Sequence, residues 1–193
     1  MGRTLYDELV GPTAAKSLNR RMAGARGHAQ GHGFERALDD LHIHYRSARR
    51  AWVEKVPSPY RVLKVLGGGR FTGAFEGEGP PDYTGIVAGH AVVFDAKQTS
   101  DTRWGFDHLA IHQAGALEEV ASYGGFAFVL LWMGGIVWVL PWSELGPRWR
   151  AWRDVDVVKR GEGSLTVANI DAIGHRCQGC DWLPVVAKLL GAP

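Results

Sequence analysis

Cysteine is scarce in this sequence, which holds two thiols, Cys177 and Cys180, among 193 residues. Two cysteines cannot form the disulfide framework of a small secreted protein, so that class is excluded and a reducing compartment is expected. The first residues, MGRTLYDELVG, lack the apolar stretch of a secretory signal, and we expect none. Charged residues at 22% and hydrophobic residues at 46% have the shares of a globular protein, which excludes wholesale disorder.

Charge is missing between Val120 and Ser143, over a run long enough to raise the question of a membrane helix. The pair Gly134-Gly135 divides this run into FAFVLLWM and IVWVLPW, each with the length and the aromatic and branched residues of a buried strand. A Gly-Gly pair between two such pieces is typical of a hairpin. We therefore predict a buried hairpin over residues 126–142, with enough aromatic residues to feed both a core and a dimer interface, and no membrane association.

Acidic residues are absent between Val10 and Phe34, where the basic residues are Lys16, Arg20, Arg21 and Arg26. Between Arg46 and Arg70, seven basic residues stand against one acid, Glu54, while several acids gather from Glu76 to Asp107. This distribution suits a protein that attracts a polyanion with its first third and does metal chemistry with its middle. An ordinary, slightly basic surface is the alternative interpretation.

Hydrophobic periodicity predicts a mixed α/β domain over residues 31–193, preceded by a flexible basic arm over residues 1–30. Apolar residues recur at helical spacing from Phe34 to Trp52 and predict a helix over residues 33–53. The other predicted elements are a strand over Tyr60–Leu66, two strands joined by a turn at Gly89-His90, a helix from Phe106 to Val120, a short helix in PWSELGPRWRAWR, strands in VDVVK and SLTVA, and a closing helix over Trp182–Leu190.

The segment AVVFDAKQT contains the pattern that best indicates chemistry. Strand alternation places Val93, Asp95 and Lys97 on one face, and Val92, Phe94 and Ala96 on the other, which is apolar and suits a core. Asp82 opens the preceding strand, thirteen residues before Asp95, so an antiparallel pairing brings the two carboxylates together. The alternative is a surface salt bridge on a hairpin.

Two carboxylates held together repel each other, and a divalent cation is the usual counter-ion. Hard oxygen ligands favour Mg²⁺, for which Mn²⁺ can substitute. Lys97 beside them is placed to orient a water molecule or to stabilise charge developing on a phosphate. Glu35, on the predicted first helix, is a candidate third carboxylate.

The segment PDYTGIVAGHAVVFDAKQT resembles the signature of the PD-(D/E)XK nuclease superfamily, and the chain is most similar to the RecU-type Holliday junction resolvases. The similarity extends from about Arg26 to Leu145 and is weak in the last third. Besides that segment it includes ARGHAQGHGFERAL, EKVPSPYRVLKV, IHQAGAL and GGFAFVLL.

This resemblance implies a restriction-endonuclease-like mixed sheet flanked by helices, and a metal-dependent endonuclease that resolves four-way DNA junctions as a homodimer in the bacterial or phage-infected host cytosol. It implies no small-molecule cofactor. Glu35, Asp82 and Asp95 match the family's carboxylates, Lys97 its lysine and Gln113 the glutamine of its His-Gln pair. The implied metal ligands are Glu35, Asp82, Asp95 and a backbone carbonyl such as that of Ala96. Asp95 stands where the family usually has Glu.

The resemblance also implies a stalk at about residues 60–80 that projects from the sheet towards the centre of the junction. Its candidate DNA contacts are Arg61, Lys64, Arg70 and Phe75, and those of the basic arm are Lys16, Arg20, Arg21 and Arg26. An aromatic side chain there could stack on unpaired bases at the branch point. A loop without DNA contacts is the alternative, since GGG occupies residues 67–69.

Other patterns keep less specific interpretations. His175, Cys177 and Cys180 form H-x-C-x2-C, which lacks the fourth ligand of a structural zinc site, so a free or redox-responsive thiol pair is the simpler interpretation. The Trp and Arg residues between Trp142 and Arg153 indicate either a nucleic-acid contact or, more commonly, a Trp-packed helix with exposed arginines. Rival functions are a nuclease of the same fold that cuts duplex or flap DNA, and a junction-binding protein that does not cut.

Overall fold

The structure, a computed structural model, describes residues 32–75, 77, 79–154 and 163–192. Helices and groups of strands alternate along the chain. The elements are α1 (His32–Ser47), β1 (Ala51–Lys55), β2 (Tyr60–Gly67), β3 (Arg70–Phe75), β4 (Tyr83–Val87), β5 (His90–Thr99), β6 (Arg103–Gly105), a 3-10 helix (Phe106–His108), α2 (Ile111–Ser122), β7 (Phe126–Met133), β8 (Ile136–Pro141), α3 (Trp142–Arg153), β9 (Ser164–Thr166), α4 (Val167–Ile173), β10 (His175–Arg176) and α5 (Leu183–Leu189).

A six-stranded mixed sheet with the strand order β1-β4-β5-β7-β8-β10 organises the chain. Strands β5 and β7 run parallel, and the other four pairings are antiparallel. The connection from β5 to β7 contains α2, as a parallel pairing requires a crossover. The predicted class, a mixed α/β fold with a mixed sheet flanked by helices, is confirmed.

Helices cover both faces of this sheet. Helices α1 and α5 pack on one face, where Leu38 and Val186 are fully buried, and α2, α3 and α4 pack on the other with Leu117 and Ile170. Strand β7 supplies alternate side chains to the two layers, so its apolar sequence is explained by burial on both sides. No helix in the described part of the chain is long and apolar enough to cross a membrane.

The predicted apolar hairpin is confirmed as β7 and β8. Gly134 and Gly135 both have positive φ, 59° and 82°, which is the backbone of a tight hairpin turn that glycine adopts without strain. The hairpin ends at Pro141, one residue earlier than predicted, because Trp142 begins α3. Nearly all its side chains are buried within this one chain, so they form the core and are not available for a dimer interface.

The first helix is shorter than predicted. It ends at Ser47, the chain turns at Arg49 with a φ of 53°, and residues 51–55 form strand β1 instead of continuing the helix. Ala51 and Val53 are buried while Trp52 and Glu54 are exposed, which is strand alternation. The prediction over residues 33–53 was wrong here because Trp52 fits the helical period as well as the strand period.

Three other segments also differ from prediction in their boundaries. The β4–β5 turn lies at Ala88-Gly89, with Val87 paired to His90, so it falls one residue earlier than expected. The segment from Phe106 divides into a 3-10 helix and α2, which begins at Ile111. SLTVA forms a three-residue strand and then the start of α4. The arm over residues 1–30 and the segment VDVVK lie outside the described residues.

Strands β2 and β3 form a separate two-stranded antiparallel sheet. Every residue of β2 is exposed, including Leu63 and Val65, and the ring of Tyr60 stacks on that of Phe71 at 5.1 Å between centroids. This hairpin is inserted between β1 and β4, which pair with each other in the main sheet. The strand predicted over Tyr60–Leu66 is confirmed, and the stalk role of the hairpin stays a prediction.

Gly85 tests how tightly β1 and β4 pack. A Cβ added there would lie 2.9 Å from the Cα of Val53 and closer still to the carbonyl oxygen of Trp52, both of which are backbone atoms. We expect Gly85→Ala to lower the free energy of unfolding by about 1–3 kcal/mol, because the two strands must move apart. Urea unfolding measures this change.

Gly115→Ala is the matched control, since a Cβ at that helical position meets no described atom within 4 Å outside its own helix. It should raise the free energy of unfolding by about 0.5–1 kcal/mol, because alanine favours a helix over glycine. Equal effects of the two substitutions would contradict the close approach of β1 and β4.

Candidate active site

The candidate site lies where β4 begins, beside the part of β5 that carries Asp95. It contains the two predicted carboxylates, Asp82 and Asp95. Asp95 is on β5, paired with Val129 of β7, and its side chain has 0% exposure. Asp82 comes directly before β4, whose first residue, Tyr83, pairs with Phe94. The interpretation of Asp95 as part of a surface salt bridge is therefore wrong, because the carboxylate is fully buried.

Backbone hydrogen bonds fix Asp82 against both neighbouring strands. Its Oδ2 accepts a hydrogen bond of 3.0 Å from the backbone N–H of Ala96, the residue after Asp95. Its own carbonyl oxygen accepts one of 2.8 Å from the N–H of Val56, just beyond β1. The predicted proximity of Asp82 and Asp95 is thus present in the structure.

Lys97 links the carboxylates to helix α2. Its Nζ lies 2.6 Å from Oδ2 of Asp95 and donates a hydrogen bond of 3.0 Å to Oε1 of Gln113. The same Oε1 accepts a hydrogen bond of 3.2 Å from the N–H of Ala110, which precedes α2. Gln113 therefore holds the ammonium group in place while it caps the helix, and the structure joins Asp95, Lys97 and Gln113 into one cluster.

Burial dominates the electrostatics of Asp95. Desolvation raises the pKa of Asp95 to about 6; the charge of Lys97 opposes this rise, and the charge of Asp82 adds to it. Oδ1 of Asp95 is buried and has no hydrogen-bond partner among the described residues. A buried carboxylate oxygen in this position is costly unless a donor or a cation reaches it.

Glu35 takes a different partner from the one predicted. Its carboxylate forms an ion pair of 2.5 Å with Nζ of Lys55, at the end of β1. Across the part of the chain that the structure describes, no group of three or more His, Cys, Asp or Glu side chains is arranged to hold a metal ion. The structure brings Asp82 and Asp95 together without Glu35, and the assignment of Glu35 as a ligand stays a prediction.

The residues present do fit a divalent cation. Asp82 and Asp95 supply two carboxylates side by side, and the buried Oδ1 of Asp95 lacks a partner among the described residues. Hard oxygen donors of this kind suit Mg²⁺, Mn²⁺ or Ca²⁺. The backbone carbonyl of Ala96 remains the predicted further ligand.

The three basic candidate DNA contacts of the hairpin are exposed. Arg61 and Lys64 lie on β2 and Arg70 begins β3, where it pairs with Gly67. The backbone of Phe75 pairs with that of Tyr60 at the base of the hairpin. Since Lys55 pairs with Tyr83, the chain leaves the main sheet towards the hairpin after Lys55 and re-enters it at Tyr83, directly after Asp82. The four arm residues, Lys16, Arg20, Arg21 and Arg26, lie outside the described residues.

The structure shows the surroundings of the cysteine pair and of the Trp- and Arg-rich segment. Burial raises the pKa of Cys177 to about 12 and that of Cys180 to about 11, and neither cysteine forms a disulfide. Together with His175 they form no metal cluster within the described residues. Trp142 and Trp149 are buried, whereas the arginines of α3 are exposed, which confirms the Trp-packed helix.

Sequence analysis did not identify Lys55, Asp39 and Tyr83 as residues that form polar contacts near the site. Lys55 pairs with Glu35, and Asp39 accepts a hydrogen bond of 3.0 Å from the hydroxyl of Tyr83. Asp39 follows Glu35 by four residues, so helical spacing alone places both on one face. Lys55 was missed because strand β1, which it ends, was not predicted.

Two adjacent carboxylates with a neighbouring lysine on a central mixed sheet make this chain a mixed α/β protein with a candidate site for a cation. Residues 29–179 match the family model described as RecU: Recombination protein U. The chain belongs to this family. The expected resemblance is therefore confirmed over most of the chain.

Relatives with curated names agree with the family match. The chain is 31% identical over 108 residues to "Holliday junction resolvase RecU" of Shouchella clausii, covering 53% of this chain and 52% of that one. It is 29% identical over 157 residues to the protein of the same name from Leuconostoc mesenteroides, covering 77% and 74%. The alignment thus spans about half the length of the first relative.

A solved structure, that of Hjc, a Holliday junction resolvase from Archaeoglobus fulgidus, has 14% sequence identity to this chain. The superposition covers 86% of this chain and 98% of the archaeal one, with a TM-score of 0.41.

The electrostatic role of Lys97 can be measured directly. Lys97→Met removes the positive charge that favours the carboxylate form of Asp95, so we expect the pKa of that group to rise further above its value of about 6. Titration of the Asp95 carboxyl carbon by NMR in metal-free protein measures it. The remote substitution Lys188→Met should leave the pKa unchanged, and an unchanged or lower pKa in Lys97→Met would refute the interaction.

Proposed function

We propose that this chain is a structure-selective, divalent-metal-dependent endonuclease that resolves four-way (Holliday) DNA junctions by symmetric nicking. The observation that carries the proposal is the buried Asp95 beside Asp82 and Lys97, in a chain of the Recombination protein U family. A protein that only binds DNA has no use for clustered carboxylates, because they repel phosphate. The names of the relatives support the choice of junction DNA as substrate.

The proposed metal is Mg²⁺, with Mn²⁺ as a substitute, and no small-molecule cofactor is needed. Asp82 and Asp95, with Glu35 and the carbonyl of Ala96 as further ligands, would hold it. When bound, a divalent ion lowers the pKa of a coordinated water and offsets the charge of the phosphate.

The residues of this chain prepare the site in three ways. The backbone N–H of Ala96 on β5 donates a hydrogen bond to the carboxylate of Asp82, which keeps that carboxylate close to Asp95. Gln113 and Asp95 hold Nζ of Lys97, whose remaining hydrogen can orient an attacking water or contact a phosphate oxygen. The layers of apolar side chains on both sides of β5 exclude water from Asp95, which strengthens its interaction with cations.

We also propose a homodimer in the cytosol of a bacterial or phage-infected cell. Two symmetric nicks need two sites related by a two-fold axis, and a dimer of this chain supplies them. The basic arm, with Lys16, Arg20, Arg21 and Arg26, would contact backbone phosphates without selecting a sequence. The interface does not use the β7–β8 hairpin, whose side chains already lie in the core.

The assignment of Asp95 is tested by Asp95→Asn. We expect nicking of a four-way junction in Mg²⁺ to fall by at least about hundredfold, because a ligand charge is lost, while junction binding survives or tightens since repulsion of phosphate falls. A gel assay for nicking and a gel-shift assay for binding measure the two effects. Asp101→Asn, at an exposed acid just beyond β5, is the control and should leave both unchanged.

Two results of this experiment would contradict the proposal. More than a tenth of wild-type nicking in Asp95→Asn would remove Asp95 from the site. Equal cleavage of a linear duplex of the same sequence by the wild-type protein would instead favour the rival nuclease that is not selective for junctions.

The hairpin is the proposed source of junction selectivity. Its strand β2 is exposed along its whole length, it bears Arg61, Lys64 and Arg70, and its base lies next to Asp82. Basic side chains attract the phosphates that converge at a four-way junction, and aromatic rings can stack on bases that leave the helix there. Phe75, at the base of β3, is the proposed stacking residue.

Shortening the hairpin tests this proposal. Tyr60 and Phe75 are Cα partners, so replacing residues 61–74 with Asn-Gly closes the strands with a tight turn and leaves the main sheet intact. We expect the shortened protein to fold and bind metal but to lose its preference for four-way over linear DNA. Phe75→Ala should weaken junction binding more than duplex binding. An unchanged preference in the shortened protein would assign selectivity to dimer geometry.

A further inference from the structure

Tyr83 is buried beside the candidate site and uses its hydroxyl group to reach helix α1. Its side chain has no exposed surface, and its hydroxyl donates a hydrogen bond of 3.0 Å to Oδ1 of Asp39. Burial raises the pKa of Tyr83, and the charge of Asp39 raises it further, so the phenol remains a donor at physiological pH. A donor in such an apolar setting is costly to leave without an acceptor.

Tyr83 is connected to both carboxylate residues, to one by sequence and to the other by strand pairing. Tyr83 follows Asp82 directly, and its Cα partner across the sheet, Phe94, directly precedes Asp95. The two rings stack with centroids 4.9 Å apart and planes at 14°. We therefore expect a displacement of the Tyr83 ring to alter the positions of Asp82 and, through Phe94, of Asp95.

The acceptor, Asp39, connects this ring pair to Glu35. Both residues are on α1, four positions apart, so they lie on one face of the helix within one turn. Lys55, which forms the ion pair with Glu35, is the Cα partner of Tyr83 in β1. The Asp39–Tyr83 hydrogen bond is thus a direct polar link between the helix that carries Glu35 and the strand that begins after Asp82.

We propose that Asp39 and Tyr83 are a positioning pair, which fixes α1 relative to β4 and thereby sets the separation of the Glu35 carboxylate from Asp82 and Asp95. This inference rests on the proposed function, since it concerns the residues assigned to the metal. Neither side chain needs to touch the ion or the DNA. Groups that orient ligands from outside typically change metal affinity by about tenfold or more when they are removed.

A second buried tyrosine, Tyr45 on α1, offers a matched control. Tyr45 is also fully buried and also donates its hydroxyl to an aspartate, Asp181, which precedes α5. Its hydrogen bond joins α1 to the C-terminal part of the chain and not to the strand that follows Asp82. Removing this hydroxyl should therefore disturb the core to a similar extent without moving the carboxylates.

The test measures binding of Mn²⁺ to the full chain by electron paramagnetic resonance, without DNA and without reliance on cleavage. We expect Tyr83→Phe to raise the Kd for Mn²⁺ roughly tenfold and Tyr45→Phe to leave it unchanged. Urea unfolding midpoints of both variants show whether their stabilities fall equally. If Tyr83→Phe changes Mn²⁺ affinity no more than Tyr45→Phe does, the positioning pair is wrong.

Asp39 supplies an independent test that does not depend on how Tyr83→Phe folds. Asp39→Asn keeps an oxygen that can accept the phenolic hydrogen, so its Kd should stay within about threefold of wild type, whereas Asp39→Ala should match Tyr83→Phe. Equal effects of the Asn and Ala variants would show that Asp39 acts through its charge and overturn the proposal.

The same measurements separate this inference from the proposed function. Wild-type protein and Asp95→Asn are included in each titration. If wild-type protein binds no Mn²⁺, or if Asp95→Asn binds Mn²⁺ as tightly as wild-type protein does, the metal site itself is wrong. If Mn²⁺ binding depends on Asp95 but is unchanged by the substitutions at Tyr83 and Asp39, the metal site is supported and the positioning pair is wrong.

Discussion

The burial of Asp95 in a sheet covered on both faces is the constraint on which the site depends. Strand β5 must supply apolar side chains to both helical layers and still carry a carboxylate with no exposed surface. Such a group is tolerated only with compensating charge. Lys97 provides part of this compensation, and Oδ1 of Asp95, which has no hydrogen-bond partner in the described part of the chain, marks a position that a cation would satisfy.

Each group of the site is held by a different element, which gives the arrangement its rigidity. The N–H of Ala96 on β5 binds the Asp82 side chain, the N–H of Val56 after β1 binds the Asp82 carbonyl, and Gln113 on α2 holds Lys97. Backbone donors have little freedom to move, so they set geometry more strictly than exposed side chains do. The Asp39–Tyr83 hydrogen bond likewise connects α1 to β4.

The position of the β2–β3 hairpin relates binding to chemistry. Because the hairpin is inserted between Lys55 and Tyr83, which are paired across β1 and β4, both of its ends lie beside Asp82. A polyanion held along the exposed strand β2 would therefore reach the carboxylates without any large movement of the sheet. The hairpin also exposes apolar residues such as Leu63 and Val65, which are unusual on the surface of an isolated strand pair.

The sequence by itself determined the features that depend on local pattern. Alternation in AVVFDAKQT predicted the neighbouring positions of Asp95 and Lys97 on β5, a turn signal predicted the pairing that brings Asp82 close, and Gly134-Gly135 predicted the central hairpin. These signals are reliable because side-chain direction repeats every two residues along a strand.

Tertiary structure decided the partners of residues that are far apart in sequence. Only the packing of α1 against β1 and β4 pairs Glu35 with Lys55 and Asp39 with Tyr83. It also made Trp52 a strand residue, since pairing with Ile86 outweighed a helical period that fitted equally well. Periodicity records which side of an element is apolar, whereas the choice between partners depends on how separate elements pack in three dimensions.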